Sequence, residues 1–199
     1  MPQGGYRKPP ARLVVMTDAL YAKSLEADPT CGGLVGYNFL SAEPIVNVTQ
    51  GIPLIARHPS GKLSLANFMK MQIYSALGSL SLGCELLSKE DVEIEAVYGH
   101  GGFFKSPFVG QSAMSAAIGA PVTVMQNAGE GGAWGIAALA LFARLGESSL
   151  ETFLDGVFKD AQKTTVSADE AERNCFRAFM EQYKKGLDVE CQAAETLLR

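Results

Sequence analysis

Two strand-like runs, each followed by a glycine-rich turn and a helical pattern, constrain the fold more than any other feature of this chain. VEIEAVY at residues 92–98 leads into Gly99, Gly101 and Gly102, and PVTVMQ at residues 121–126 leads into NAGEGG. Strands that alternate with helices in this way predict an α/β domain with parallel strands. Ligands in such domains gather at the carboxyl ends of the strands, which is where both turns fall.

The stretch from residue 65 to 87 has a strong helical periodicity, and Ser64 is placed to cap its first turn. One apolar face at helical spacing consists of Leu65, Met69, Ile73, Ala76, Leu80, Cys84 and Leu87. A different side is mostly small and consists of Ser75, Gly78, Ser79 and Leu82. Small side chains let a neighbour approach the helix backbone closely. Spacing alone favours a packed helix or strand as that neighbour, with a ligand as the alternative.

Further elements are predicted from turn and cap signals. Ser106 and Pro107 are placed as N-cap and first residue of a helix that ends at Gly119, and the next helix closes at Gly146. ARLVVMT at residues 11–17 predicts a strand. Residues 31–40 mix glycine with β-forming side chains, which indicates either a strand with bulges or backbone that lies close to another element.

Residues 147–199 are predicted to be helical. Ser167 and Glu170 match a capping box at the start of the last helix. Two apolar stripes are interpreted as packing surfaces and not as a cofactor site: Leu150, Phe153, Leu154, Val157 and Phe158, and then Phe176, Phe179, Met180 and Tyr183.

Composition excludes several classes of function. The formal net charge is −4 and no basic patch stands out, so nucleic acid is not expected as a partner. Four cysteines without a C-x-x-C pair and two histidines predict neither a zinc site nor a disulfide framework, and we expect reduced thiols. Without an apolar leader or a run long enough to span a bilayer, the expectation is a soluble cytoplasmic protein that does not contact a membrane.

The first glycine turn is the best candidate for a binding site. Glycines remove the Cβ atoms that would block a planar or phosphorylated ligand, and the following helix presents unpaired N–H groups. The residues match neither the phosphate loop G-x-x-x-x-G-K-[ST] nor the dinucleotide fingerprint G-x-G-x-x-G. Lys105 is interpreted as a solvated surface lysine, and a structural hydrogen bond is favoured over catalysis for His100.

The ordered set of pieces from residue 99 to 141 resembles the adenosine-motif region of the FGGY carbohydrate kinases. Members of that family show a strand, G-G-G-A-x-S, a helix, a short strand and a helix with E-x-x-x-x-G-A-A. The matching pieces here are Gly101, Gly102, Ser106, residues 121–125, Glu130 and residues 135–137. YNFLSAEPI and the helix at residues 65–87 resemble further family segments. The resemblance covers about residues 31–146 and is nearest to xylulokinase-like members.

The resemblance implies a ribonuclease-H-like (actin-like ATPase) domain of the family's C-terminal type at residues 31–146. Residues 1–30 would be an N-terminal arm and the start of the domain, and residues 147–199 a helical extension packed on it. The implied nucleotide-binding residues are Gly101, Gly102, Phe103, Ser106, Ser75 and Ser79. His100 and Phe103 depart from the family pattern, and Phe103 would either narrow the adenine pocket or stack on the base.

The implied activity is transfer of the γ-phosphoryl group of ATP, with Mg²⁺, to the hydroxyl of a sugar, xylulose or a related pentulose. This chain would be the ATP-binding half, without a catalytic residue or protein metal ligand of its own, since the family's base and sugar contacts lie on the N-terminal domain. Asp18, Asp28 and Asp91 are interpreted as surface groups. The resemblance leaves a homodimer open.

Two alternatives come from other classes. One is a non-catalytic actin-like module for nucleotide binding or protein interaction. The other is a flavodoxin-like or Rossmann-like domain, which fits the alternation but lacks those folds' phosphate fingerprints.

Overall fold

The structure, a computed structural model, describes residues 11–106, 108–126, 128–146 and 149–198, with the backbone alone for residues 11–15. Residues 1–10, the first part of the expected N-terminal arm, and Pro107 lie outside the described residues. In chain order the helices and strands are α1 (Ala11–Lys23), β1 (Leu34–Tyr37), β2 (Leu54–Arg57), α2 (Leu65–Lys89), β3 (Val97–Gly99), α3 (Val109–Ile118), β4 (Val122–Met125), α4 (Gly131–Leu145), α5 (Leu150–Phe158), β5 (Lys163–Val166) and α6 (Glu170–Leu197).

The strands form two separate sheets. β3 and β4 pair in parallel, with Val97 opposite Val122, which confirms the predicted parallel strands. The predicted bounds of the first strand were wrong: of residues 92–98 only Val97 and Tyr98 lie in β3, because the residues before them do not pair with β4. β5 adds to the other edge of β4 in antiparallel orientation, and β1 pairs with β2 as an antiparallel hairpin. β5 was not predicted, because its four residues KTTV are short and mostly exposed and offer no apolar run. The tail therefore supplies a strand as well as helices.

Helix α2 is the centre of the main core. It begins after Ser64, whose hydroxyl accepts a hydrogen bond from the backbone of Asn67, so the predicted N-cap is confirmed. The predicted apolar face was wrong. Of its seven residues only Ile73 is buried, and Leu65 is 53% exposed.

The buried face of α2 is instead the one rich in small and polar residues, together with Met71 and Tyr74. Small residues are needed on this face because neighbouring elements pack directly against it. A Cβ on Gly36 of β1 would overlap the sulfur of Met71, and a Cβ on Gly78 would lie 2.6 Å from Cζ of Tyr183 in α6. Backbone approaches this close need glycine. For Gly36 this matches the second of the two alternatives raised for residues 31–40, a backbone that lies close to another element.

Helix α6 closes this core. Phe176, Phe179, Met180 and Tyr183 are buried, which confirms that this stripe packs. The capping box at Ser167 was wrong. α6 begins one residue after Asp169, whose carboxylate accepts a 2.7 Å hydrogen bond from the backbone N–H of Glu172. An aspartate two positions later is an equally good cap and takes the role.

Two further predictions were wrong, a strand at residues 11–17 and a helix cap at Ser106. Residues 11–17 lie in helix α1 and not in a strand, because a short apolar run cannot be assigned by periodicity alone. Ser106 does not cap α3, which begins at Val109 after Phe108. The hydroxyl of Ser106 is instead engaged by Asp18 of α1. The predicted ends of α3 at Gly119 and of α4 at Gly146 are confirmed.

The other apolar stripe of the tail packs on α4. The ring of Phe158 lies 4.8 Å from that of Trp134, and the ring of Phe153 lies 5.4 Å from that of Phe142, centroid to centroid. All four cysteines are free thiols. Burial of Cys31 raises the pKa of its thiol to about 12, so it is a poor nucleophile at neutral pH.

We expect Gly78→Ala to destabilise the protein by about 1–3 kcal/mol, the usual cost of overpacking a tight core. The added methyl group meets the ring of Tyr183, which other buried rings hold in place. The matched control is Gly83→Ala on the same helix, where the new Cβ would be 3.7 Å from Ile45. Helix propensity predicts a gain of about 0.5–1 kcal/mol there. Urea unfolding measures both, and equal effects would contradict the packing argument.

Candidate functional site

The two glycine turns lie against each other at the carboxyl ends of β3 and β4. The backbone N–H of Gly101 donates a 2.8 Å hydrogen bond to the carbonyl of Ala128. A Cβ on Gly131, at the start of α4, would lie 2.5 Å from Nδ1 of His100. Parallel pairing of the strands brings the turns together, and glycine, which has no Cβ, lets the two backbones touch. The carboxyl ends of the strands are where open α/β sheets commonly bind ligands, so this junction is the candidate site.

Gly101 and Gly102 differ in how strictly the fold requires glycine. Gly101 has φ +102° and ψ −178°, a backbone conformation open essentially to glycine alone. Gly102 begins a short 3₁₀ turn, is exposed, and a Cβ built on it would meet no atom within 4 Å. The conformation of Gly101 thus shapes the turn, and the bare backbone of Gly102 leaves open space in front of it.

Phe103 belongs to an aromatic cluster at the edge of the core. Its ring lies edge-on to Tyr21 of α1 at 6.1 Å and to Phe104 at 5.3 Å. The ring is half-buried in these contacts. Of the two roles expected for Phe103, a wall of the pocket is closer to this geometry than a free stacking platform.

Ser106 ends the turn and is tied to α1. Its side chain is 4% exposed, and its hydroxyl donates a 2.8 Å hydrogen bond to Oδ1 of Asp18. The interpretation of Asp18 as a surface group was therefore wrong. It was also wrong for Asp28, whose carboxylate accepts a hydrogen bond from the side chain of Asn67. Asp91 is exposed, as expected.

Ser75 and Ser79 lie on α2, away from the turn residues in sequence. Ser75 is buried and donates a 2.8 Å hydrogen bond to the carbonyl of Gly36, so its hydroxyl serves the packing of β1. Ser79 is half-buried and lines a shallow groove with Ile45 and Leu80. The neighbour of Ser75 is therefore a strand, which is the packing expected from the small residues on this side of α2. Nucleotide binding by either serine stays a prediction.

A cleft of about 760 Å³ adjoins the turns where β4 ends and β5 begins. Its lining includes Phe104, Lys105, Phe108, Met125, Glu130 and Lys163. Lys105 lies across Gly129 and forms a 3.2 Å ion pair with Glu130, both ends being exposed. Phe108 is 64% exposed and has φ +64°, an unusual conformation for a bulky residue.

Sequence reasoning missed three contributors to this region. Asp18 and Tyr21 follow the run at residues 11–17 that was predicted to be a strand, and Lys163 comes from β5, which was not predicted. A helical reading of α1 would have placed Asp18 and Tyr21 on one face, since they are three residues apart.

Neither metal clusters nor membrane spans are found in the part of the chain that the structure describes. No three His, Cys, Asp or Glu side chains there lie close enough to hold a metal ion. No helix within the described ranges is long and apolar enough to cross a bilayer.

The fold is that of solved carbohydrate kinases. Xylulose kinase from Rhodospirillum rubrum aligns with 96% of this chain at a TM-score of 0.64 and 14% identity. Gluconate kinase from Lactobacillus acidophilus aligns with 89% at 0.67 and 16%. Glycerol kinase from Plasmodium falciparum, solved with ADP, aligns with 90% at 0.64 and 13%. The aligned parts are 36%, 35% and 36% of those chains, so this chain spans about a third of their length.

The chain belongs to the FGGY family of carbohydrate kinases. Residues 12–144 match the model of the family's C-terminal domain, which is more than half of the sequence and includes both glycine turns. The match confirms the resemblance to this family that the sequence motifs had indicated. No curated protein sequence matches the chain.

We expect the same substitution to alanine to have different effects on stability at Gly101 and at Gly102. Gly101→Ala should destabilise the fold by about 1–3 kcal/mol, because alanine is strained at φ +102°. Gly102→Ala should leave stability within about 0.5 kcal/mol, since its Cβ enters open space. Guanidinium unfolding followed by circular dichroism compares the two. A loss of stability for Gly102→Ala that equals the loss for Gly101→Ala would count against this description of the turn.

Proposed function

We propose that this chain is the nucleotide-binding domain of a kinase that transfers the γ-phosphoryl group of ATP to a sugar hydroxyl. The observation that carries the proposal is the junction of two glycine turns at the carboxyl edge of the parallel pair β3 and β4, within an FGGY C-terminal domain. Xylulose or a related pentulose is the proposed acceptor. Its support is the xylulose kinases among the structural neighbours, beside gluconate and glycerol kinases.

The turn suits a nucleotide in shape and charge. Open space at Gly102 lets a ligand reach the backbone, and the nearby N-terminus of α3 carries a partial positive charge that favours phosphate. Lys105 can exchange its exposed carboxylate partner Glu130 for a phosphate at little cost, because surface ion pairs are weak. Phosphoryl transfer depends mainly on positioning and charge stabilisation, which are the contributions that such a turn makes.

Mg²⁺ would enter with the nucleotide. This ion is commonly held by one or two carboxylates together with substrate phosphates, and keeps several waters. The described residues leave open space at Gly102 and contain no cluster of carboxylates that could hold a metal. The proposal therefore assigns no metal ligand to the described residues.

Sugar binding and the catalytic base are proposed to reside on a further domain, as in the family resemblance. Helix α4 offers a surface for contact with additional protein. It exposes the apolar side chains of Ile136, Leu139 and Leu145, and Ala138 is its only buried residue. The ribonuclease-H-like architecture, the domain limits at residues 31–146 and a cytoplasmic location belong to the same proposal.

We expect this chain alone to bind ATP and ADP weakly and not to phosphorylate a sugar. Calorimetric titration with ATP, ADP and a pentulose measures binding, and a coupled ADP-release assay measures turnover. Saturable phosphorylation of the pentulose by the chain alone would overturn the half-site proposal. Nucleotide binding without phosphorylation after a sugar-binding domain is supplied would favour a non-catalytic module.

Gly102→Val should abolish nucleotide binding and leave the fold intact, because its branched side chain fills the space in front of the turn. The matched control is Gly156→Val in α5, where a Cβ also meets nothing within 4 Å. That control should bind ATP as the unmodified chain does. Unchanged affinity in Gly102→Val would place the nucleotide elsewhere.

A further inference from the structure

Helix α1 contacts the glycine turn through one face. Asp18 accepts the hydrogen bond from Ser106, and Tyr21, three residues later, packs edge-on against Phe103. The residues contacted, Phe103 and Ser106, are among the four that follow Gly102. Even a fully extended chain would place Ser106 at most about 14 Å from Gly102. α1 is therefore a wall of the turn, and Asp18 is the acidic group on that wall.

The hydrogen bond fixes what this wall can offer a ligand. A serine hydroxyl has one proton, and the proton of Ser106 points to Oδ1 of Asp18. An ionised carboxylate only accepts hydrogen bonds and has about four acceptor positions, of which Ser106 uses one. Both side chains thus present acceptors alone, so a ligand group beside them must carry an N–H or O–H donor.

Charge excludes one orientation of a nucleotide. Among the residues that the structure describes, no lysine, arginine or histidine forms an ion pair with Asp18. A phosphate placed against this half-buried carboxylate would be repelled. Lys105 and Lys163 line the cleft where β4 ends and β5 begins, and Asp18 is not among the residues that line that cleft. Phosphates are therefore favoured away from α1, and the uncharged nucleoside end is favoured beside it.

We propose that Asp18 is a specificity-determining residue that accepts a hydrogen bond from the nucleoside end of the bound nucleotide, with Ser106 orienting its carboxylate. This inference rests on the proposed function. The donor is a neutral N–H or O–H group, and an adenine nucleotide has two sources of it. One is the 6-amino group of the base and the other is the 2′-hydroxyl of the ribose.

The test is calorimetric titration of the chain and of Asp18→Asn with three nucleotides. ADP carries both donors, inosine diphosphate has an oxygen in place of the 6-amino group, and 2′-deoxy-ADP lacks one hydroxyl. Asparagine has nearly the same shape but loses the charge and half of the acceptors. We expect Asp18→Asn to weaken ADP binding about 10- to 100-fold, the range for one hydrogen bond to a charged group.

The selectivity between nucleotides separates recognition from a structural effect. If the 6-amino group is the donor, Asp18→Asn changes inosine diphosphate binding by less than about threefold and still weakens 2′-deoxy-ADP. If the 2′-hydroxyl is the donor, the two analogues exchange these responses. Either pattern supports the proposal. An unchanged ADP affinity, or the same loss for all three nucleotides, overturns it.

Two further variants keep the outcome interpretable. Asp28→Asn is the matched control, because Asp28 is also half-buried and accepts a side-chain hydrogen bond, in its case from Asn67. It should leave the ratio of ADP to inosine diphosphate affinity unchanged. Ser106→Ala keeps the charge of Asp18 and should retain the unmodified preference among nucleotides with weaker binding. If the unmodified chain binds none of the three, the proposed function fails and this inference with it.

Discussion

The close approach of helix α2 to its neighbours determines where the rest of the molecule lies. Gly78 lets the ring of Tyr183 rest on the helix, and Gly36 lets β1 cross beside Met71. Tyr183 in turn contacts Tyr37 at 4.9 Å and Phe179 at 5.9 Å between ring centroids. Each large apolar side chain buried here contributes about 1.5–3 kcal/mol. Because α3 also packs on α2 and adjoins β4, this core sets the position of both glycine turns.

Sequence reasoning succeeded where local chemistry decides the structure. Apolar β-forming residues located β4 and only the last two residues of the run that predicted β3. Ser64 located the start of α2, and Gly119 located the end of α3. It failed where distant parts of the chain compete. Hydrophobicity selected the wrong face of α2, because the space under a tyrosine ring favours small residues over large ones.

The candidate site divides in the same way. Gly101 and Gly102 are visible as a pattern in the sequence, although only Gly101, at φ +102°, has a backbone conformation that demands glycine. Ser106 was wrongly predicted to be a helix cap, because its partner Asp18 lies 88 residues earlier in the chain. A hydrogen bond across that separation leaves no local trace in the sequence. Ser75 likewise gives no sign that its hydroxyl bonds to Gly36.

The family match ends at residue 144, but the core does not. The hydroxyl of Tyr37 donates to the carbonyl of Tyr183, 146 residues later, and β5 covers an edge of β4. Contacts of such long sequence separation slow folding, because a large loop must close before they form. During synthesis, β1 and α2 emerge long before the helix that covers them. Their apolar surfaces must stay apart from other chains until α6 has left the ribosome.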